Sequence, residues 1–325
     1  MRKLLCSGIA MASLTAISCS QTITETFGTG ANAFSIDFVQ IGSPGNAGNN
    51  TSFYSDVGRV NYVYNIGKYE VSREMLIKAN NLGGLGIPLV SMSGFGGNTP
   101  YIPATGNYWT EAAKFVNWLN TSTGNAVAYK FVGSSFGLWN MGDAGFNSQN
   151  PYRNTQAKYF LPNLDEWYKA AYYDPTKSGS GGYWKFATAS DVAPTPVSGG
   201  TAQDTAVYDQ PYFSNPADIT DAGGLSYFGT MAQSGNAWEW IETAYDGVND
   251  FALEEKFRLG GSWGSDGLGS DLLSDESFNY YPAEVPDEYR NVAIGFRIAS
   301  VPEPSAFSLL AVGFGGLAMM RRRRS

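Results

Sequence analysis

Gly235-Asn236-Ala237-Trp238-Glu239-Trp240 sets one carboxylate between two indoles directly after a glycine turn, and Gly260-Gly261-Ser262-Trp263 pairs glycine with tryptophan again further along. Large aromatic rings beside glycine turns fill space that irregular backbone leaves open, so Trp238, Trp240 and Trp263 read as core rather than ligand-stacking surface. A glutamate among such rings needs a partner. A cation such as Arg297 is one such partner.

Upstream, regular elements are short. Phe34 to Ile41 alternates as a strand, and Tyr62-Val63-Tyr64-Asn65-Ile66 is a second strand candidate. Ser72 is placed to cap a helix carrying Met75, Leu76 and Ala79, which Gly83 and Gly84 stop. Thr110 reads as the cap of a second helix, with Glu111 at its positive end and Ala112, Phe115, Val116 and Leu119 on one face. A third follows Asn163, which stands three residues before Glu166 in a capping-box arrangement; Trp167, Ala170 and Ala171 form its buried stripe and Asp174-Pro175 ends it. Short helices among irregular segments and a few strands predict an α+β domain with little regular structure. Asp246-Gly247-Val248-Asn249-Asp250 lacks the twelfth-position glutamate of a calcium loop and reads as a turn.

Six pieces in order carry a resemblance. Tyr69-Glu70-Val71-Ser72, Trp109-Thr110-Glu111-Ala112-Ala113 and Leu161-Pro162-Asn163-Leu164-Asp165-Glu166-Trp167 precede the two tryptophan motifs, and Ile294-Gly295-Phe296-Arg297 follows them. Together, from about Ser35 to Ser300, the chain resembles the formylglycine-generating enzyme, or sulfatase-modifying factor, family. The resemblance implies a single domain with a variant of the C-type lectin fold, structural calcium and an active site in a surface cleft. It also implies a copper-binding cysteine pair, three and eight residues after the serine of the Gly-Gly-Ser motif, which oxidises a substrate cysteine. Those positions hold Ser265 and Ser270. Hydroxyls are hard, weakly acidic ligands and do not replace thiolates on Cu(I), so copper and formylglycine formation are not expected.

For calcium, the resemblance implies a site using Glu239, the carbonyls of Gly235 and Ala237, and a side chain at Ala232, which has no side-chain oxygen although Gln233 is adjacent. The expectation is a weakened site that keeps some affinity, since calcium tolerates flexible coordination. The family's other site implies a carboxylate near Asp218 or Asp221, with an expected asparagine falling near Val207. Asp266, Asp271, Asp275 and Glu276, in the loop that replaces the cysteines, form either an acidic lip for a cation or basic ligand, or a solvated surface loop.

The two ends read as sorting information. Arg2 and Lys3 precede a short apolar run, and small residues follow, as in a secretory signal over 1–20; Cys19 leaves lipidation open. Pro302, Glu303 and Pro304 precede an apolar run over 305–320, about 24 Å as a helix, and Arg321, Arg322, Arg323 and Arg324 end the chain. Residues 301–325 thereby resemble a PEP-CTERM sorting tail. The resemblance implies transient anchoring in the inner membrane, processing by an exosortase and release to the cell surface or beyond, with signal peptidase acting at the other end.

Composition narrows the chemistry of residues 21–300. There is no histidine, and both cysteines, Cys6 and Cys19, lie in the leader. Serine–histidine catalysis, zinc sites built on His or Cys and haem ligation by either are excluded. Without Arg2, Lys3 and Arg321 to Arg324, 15 of the 21 basic residues remain against all 29 acidic ones, Glu303 of the tail among them, a net charge of about −14 that argues against nucleic acid. Two functions of different class follow. One is a non-catalytic module outside the cell that binds a glycan, peptide or matrix component. The other is an enzyme, either a sulfatase-modifying oxidoreductase or one using carboxylates such as Glu239 with Asp266.

Overall fold

A computed structural model describes residues 22–211, 213–265 and 291–302. Its frame is a five-stranded antiparallel sheet. The first strand, β1 (Thr22–Phe27), pairs with β2 (Phe34–Ile41), and β2 with β3 (Tyr64–Gly67). The strand Ala299–Ser300 then lies between β3 and Tyr159–Phe160. One row therefore runs Thr22, Val39, Ile66, Ala299, Phe160 across the sheet, joining residues from both ends of the domain. The alternation in Phe34–Ile41 works as read from the sequence, with Phe34, Ile36, Phe38 and Ile41 buried and Ser35 and Gln40 exposed.

Helix α1 (Arg73–Gly83) starts where expected: the Ser72 hydroxyl accepts the Met75 N–H at 3.2 Å, and Gly84 closes the helix in the left-handed region. Helix α2 (Trp109–Ser122) starts earlier than predicted. Thr110 is buried inside its first turn, and Tyr108 is the cap residue, its N–H donating to the Glu111 carboxylate at 2.9 Å. The side chain that fixes the start is thus a glutamate reaching backwards, a signal that competes with the better-known threonine cap. Ala112, Phe115, Val116 and Leu119 are fully buried against the sheet, as their spacing requires.

Helix α3 (Leu164–Tyr172) has the predicted reciprocal box: Asn163 accepts the Glu166 N–H at 2.9 Å, and Glu166 accepts the Asn163 N–H at 2.7 Å. Asn163→Ala is expected to lower stability by about 1 kcal/mol, read as a shift in the denaturation midpoint. Trp167, Ala170 and Ala171 are buried, as the stripe predicted.

A second sheet holds the quoted motifs. The strand Trp238–Ala244 is buried at every position, runs antiparallel to Lys256–Leu259 and parallel to Ile294–Phe296. Trp238, Trp240 and Trp263 are all core, with Trp240 Nε1 donating to the Asn107 carbonyl. Residues 246–250 form a turn, its Asp246 carboxylate accepting the Val248 N–H at 2.9 Å. Among the described residues no helix is long and apolar enough to cross a membrane; 305–320 lies outside them.

Candidate functional site

The first quoted stretch folds into a turn that only a glycine can open. Gly235 has φ +107°, and a Cβ there would lie 2.3 Å from the Val207 carbonyl oxygen. Asn236 follows in the left-handed region, at φ 61°, and its side chain explains why that strain is held. Its Oδ1 accepts the Ala217 N–H at 2.8 Å while its Nδ2 donates to Glu70 at 2.6 Å. Glu70 also takes the Ala237 N–H at 3.0 Å, so one buried carboxyl from the segment before α1 fixes the turn. Burial drives that carboxyl well above its usual range; neighbouring Glu239 adds to the shift, and Arg297 opposes it.

Two residues on, Glu239 meets Arg297. The guanidinium reaches it with Nε at 2.6 Å and a second nitrogen at 2.5 Å, and Trp167 Nε1 donates at 2.7 Å. Arg297 spends its remaining donors on the carbonyls of Gly67 (2.9 Å), Met231 (2.8 Å) and Lys68 (3.4 Å). Both side chains of the pair are fully buried. The cation that the sequence offered as one of two partners is therefore beside Glu239, and N–H donors rather than oxygens surround the carboxylate.

This donor set does not fit a calcium ion on Glu239, which would have to displace a guanidinium that also ties three backbone carbonyls. Gly235 and Ala237 are brought to the same turn, but Ala232 is buried and apolar, and Val207 packs with Trp263 in an apolar cluster. Asp221 is exposed in another turn, closed by its N–H on the Asp218 carbonyl. Among the described residues no three His, Cys, Asp or Glu side chains converge to hold a metal ion.

Next to the turn, the second motif is anchored by the Trp263 N–H on the Asn236 carbonyl at 2.9 Å. Ser265 is nearly buried, and its hydroxyl accepts the Ser262 N–H at 2.9 Å, while its own N–H donates to the Ser262 carbonyl at 3.0 Å. At this position the side chain closes a tight turn. Ser270, Asp266, Asp271, Asp275 and Glu276 fall outside the described residues, as do Glu303, Pro304 and Arg321 to Arg324. Beyond Trp263 an aromatic run reaches the surface: Phe95 sits edge-on to it at 6.4 Å, and Phe213, 71% exposed, packs on Phe95 at 6.1 Å.

A second buried ion cluster escaped the sequence. Arg153 donates to both oxygens of Glu166 at 2.9 Å and to Glu242 at 2.8 Å. Tyr62 adds a hydroxyl to Glu166 at 2.6 Å, and Tyr129 one to Glu242 at 2.8 Å. Burial alone would raise the Glu166 carboxyl, but Arg153, Tyr62 and the Asn163 N–H together hold it below its usual range. The sequence marked Glu166 only as part of a capping box; nothing local points to Arg153 or Glu242.

Comparison with known proteins agrees with this architecture. Residues 62–301 match the family model described as the sulfatase-modifying factor enzyme 1-like domain, and residues 300–324 match the PEP-CTERM protein-sorting motif. No curated protein matches significantly. Among solved structures, Treponema denticola variable protein 1 is 17% identical with a TM-score of 0.57, over 86% of this chain and 99% of that one. CarF is 19% identical with a TM-score of 0.52, over 82% and 99%. PvdO from Pseudomonas aeruginosa is 15% identical with a TM-score of 0.51, over 86% and 98%. Such identities carry the fold, a C-type-lectin-like one, and nothing about activity.

Proposed function

The chain belongs to the sulfatase-modifying factor enzyme 1-like family, and we propose that it is an exported member without the family's oxidative chemistry, serving as a binding module outside the cell. The observation that carries this reading is Ser265. A thiolate position of the resemblance is filled by a hydroxyl committed to the Ser262 backbone, and residues 21–300 contain no cysteine to replace it. The family's oxygen activation on a thiolate-bound metal has no thiolate donor among these residues. A carboxylate-based enzyme loses its first candidate as well, because every oxygen of Glu239 is engaged by Arg297 or Trp167. Export follows from the sorting motif; anchoring through 305–320 until an exosortase acts belongs to the same proposal.

The ligand face of this proposal is the aromatic run of Phe213, Phe95 and Trp263, and the stacking that brings an exposed ring beside the Asn236 turn supports it. Purified residues 21–300, given copper, dioxygen and a cysteine-containing sulfatase peptide, are expected to leave the thiol unoxidised at the level of the blank. Aldehyde above background overturns the non-catalytic reading. On glycan and peptide arrays the same domain is expected to retain a ligand class that Phe213→Ala loses; arrays blank for both proteins would remove the binding face.

A further inference from the structure

The sheet places the two ends of the domain at one pole. Thr22 opens β1 in the same row as Ala299, and β1 and the strand Ala299–Ser300 run in opposite directions, since three antiparallel pairings separate them. The chain before Thr22 and the chain after Ser300 consequently leave from the same end of the sheet, three strand spacings or about 14 Å apart. Val301 is still held there, its N–H on the Lys158 carbonyl at 3.0 Å. From Ser300 to the apolar run at 305 there are four residues, 301–304, which span at most about 14 Å when fully extended.

The opposite pole carries the candidate site. Gly67, the far end of β3, gives its carbonyl to Arg297, and Val71 beyond it donates to the Phe296 carbonyl. Glu70 and the Asn236 turn follow directly, then Trp263 and the aromatic run. Tyr101 is 54% exposed, its backbone carbonyl accepts the Ile219 N–H, and Ile219 lines one pocket with Ser35 and Tyr69 at this same end.

We propose that the pole of the sheet marked by Asn61, Gln156 and Val301 is a membrane-apposed face, and that the pole bearing Tyr101 and Phe213 points away from the bilayer. This rests on the anchoring of 305–320. A tether of four residues holds the first pole against the lipid headgroups, so the anchored domain displays its aromatic face outward before release. Both processing enzymes then meet the chain at the membrane-apposed pole. Cutting at or before the Ala299–Ser300 bond would sever a strand paired on both sides, which sets the inner limit for the sorting cleavage.

The absence of cysteine from residues 21–300 makes the test direct. In full-length protein with Cys6→Ser and Cys19→Ser, reconstituted in liposomes, single cysteines replace Asn61, Gln156, Tyr101 or Phe213 and carry a fluorophore. With a quencher on the lipid headgroups, Asn61→Cys and Gln156→Cys are expected to lose most of their emission, and Tyr101→Cys and Phe213→Cys almost none. Equal or reversed quenching in protein that resists carbonate extraction overturns the orientation alone. Protein that carbonate strips from the liposomes overturns the anchoring and the orientation with it.

Discussion

Arg297→Leu is expected to cost about 3–5 kcal/mol of stability, because it leaves Glu239 charged, fully buried and without its counter-ion. That is a large share of the roughly 5–15 kcal/mol available to a domain, so the denaturation midpoint of the variant should fall steeply. Glu239→Leu is expected to cost a similar amount by orphaning the guanidinium. The double variant should be more stable than the sum of the two losses predicts, since it removes both charges together. It should still fall short of wild type: Arg297 also satisfies the carbonyls of Gly67, Lys68 and Met231, which a leucine leaves bare. Strict additivity, or single losses below about 1 kcal/mol, would show that Glu239 and Arg297 do not act as a coupled buried pair. Because the guanidinium occupies the place of a cation, millimolar calcium is expected to leave the melting temperature of the wild type unchanged. A calcium-dependent rise that Glu239→Gln abolishes would mean that the ion can displace Arg297.

The elements that local chemistry determines were readable, and those that long-range pairing determines were not. Ser72 and Asn163 cap helices because their side chains reach an N–H three residues away, a distance that sequence displays directly. The Tyr108 start of α2 was missed because two local signals competed, and the carboxylate of Glu111 prevailed over the hydroxyl of Thr110. The partner of Glu239 stood among the sequence's alternatives, since a buried glutamate between indoles must be neutralised and Arg297 belonged to a quoted motif. Arg153 gave no such hint. Its carboxylates lie 13 and 89 residues away, and no periodicity links a loop arginine to a strand that also carries Glu239. At Ser265 the sequence shows a hydroxyl where the resemblance expects a thiol, and its part in closing the Ser262 turn comes only from the fold.

Raising the pH from 7 to about 9.5 is expected to stabilise the fold, against the usual behaviour of an acidic protein, because two lysines are buried inside it. Lys256 lies under the Tyr152 ring at 4.0 Å and near Trp109 at 5.3 Å, donating to the Tyr152 hydroxyl at 2.7 Å and the Glu254 carbonyl at 3.2 Å. Burial lowers it from 10.5 to about 7, although Glu254, Glu242 and Asp246 pull the other way. Lys169 donates to the Ser43 carbonyl at 2.9 Å, and burial lowers it to about 8. Between these values and 10.5 the unfolded chain binds protons that the folded chain does not, so stability rises with pH and is lost as pH falls through 8 and then 7. The slope is at most about 1.4 kcal/mol per pH unit for each lysine. Asp165, which burial raises to about 6, titrates below this window, and the buried tyrosines act only above 10. Glu70, which burial holds well above its usual range, keeps a proton that the unfolded chain releases, so it opposes the rise by at most the slope of one lysine and two lysines outweigh it. Lys256→Met keeps the apolar stem and removes the charge, so it should raise the urea midpoint at pH 7 and flatten the rise towards pH 9.5, leaving the part due to Lys169. A wild-type midpoint that falls over this range, or a slope that Lys256→Met leaves intact, would show that the ammonium is charged and solvated in the folded protein, and that the Tyr152 and Trp109 rings do not enclose it as described.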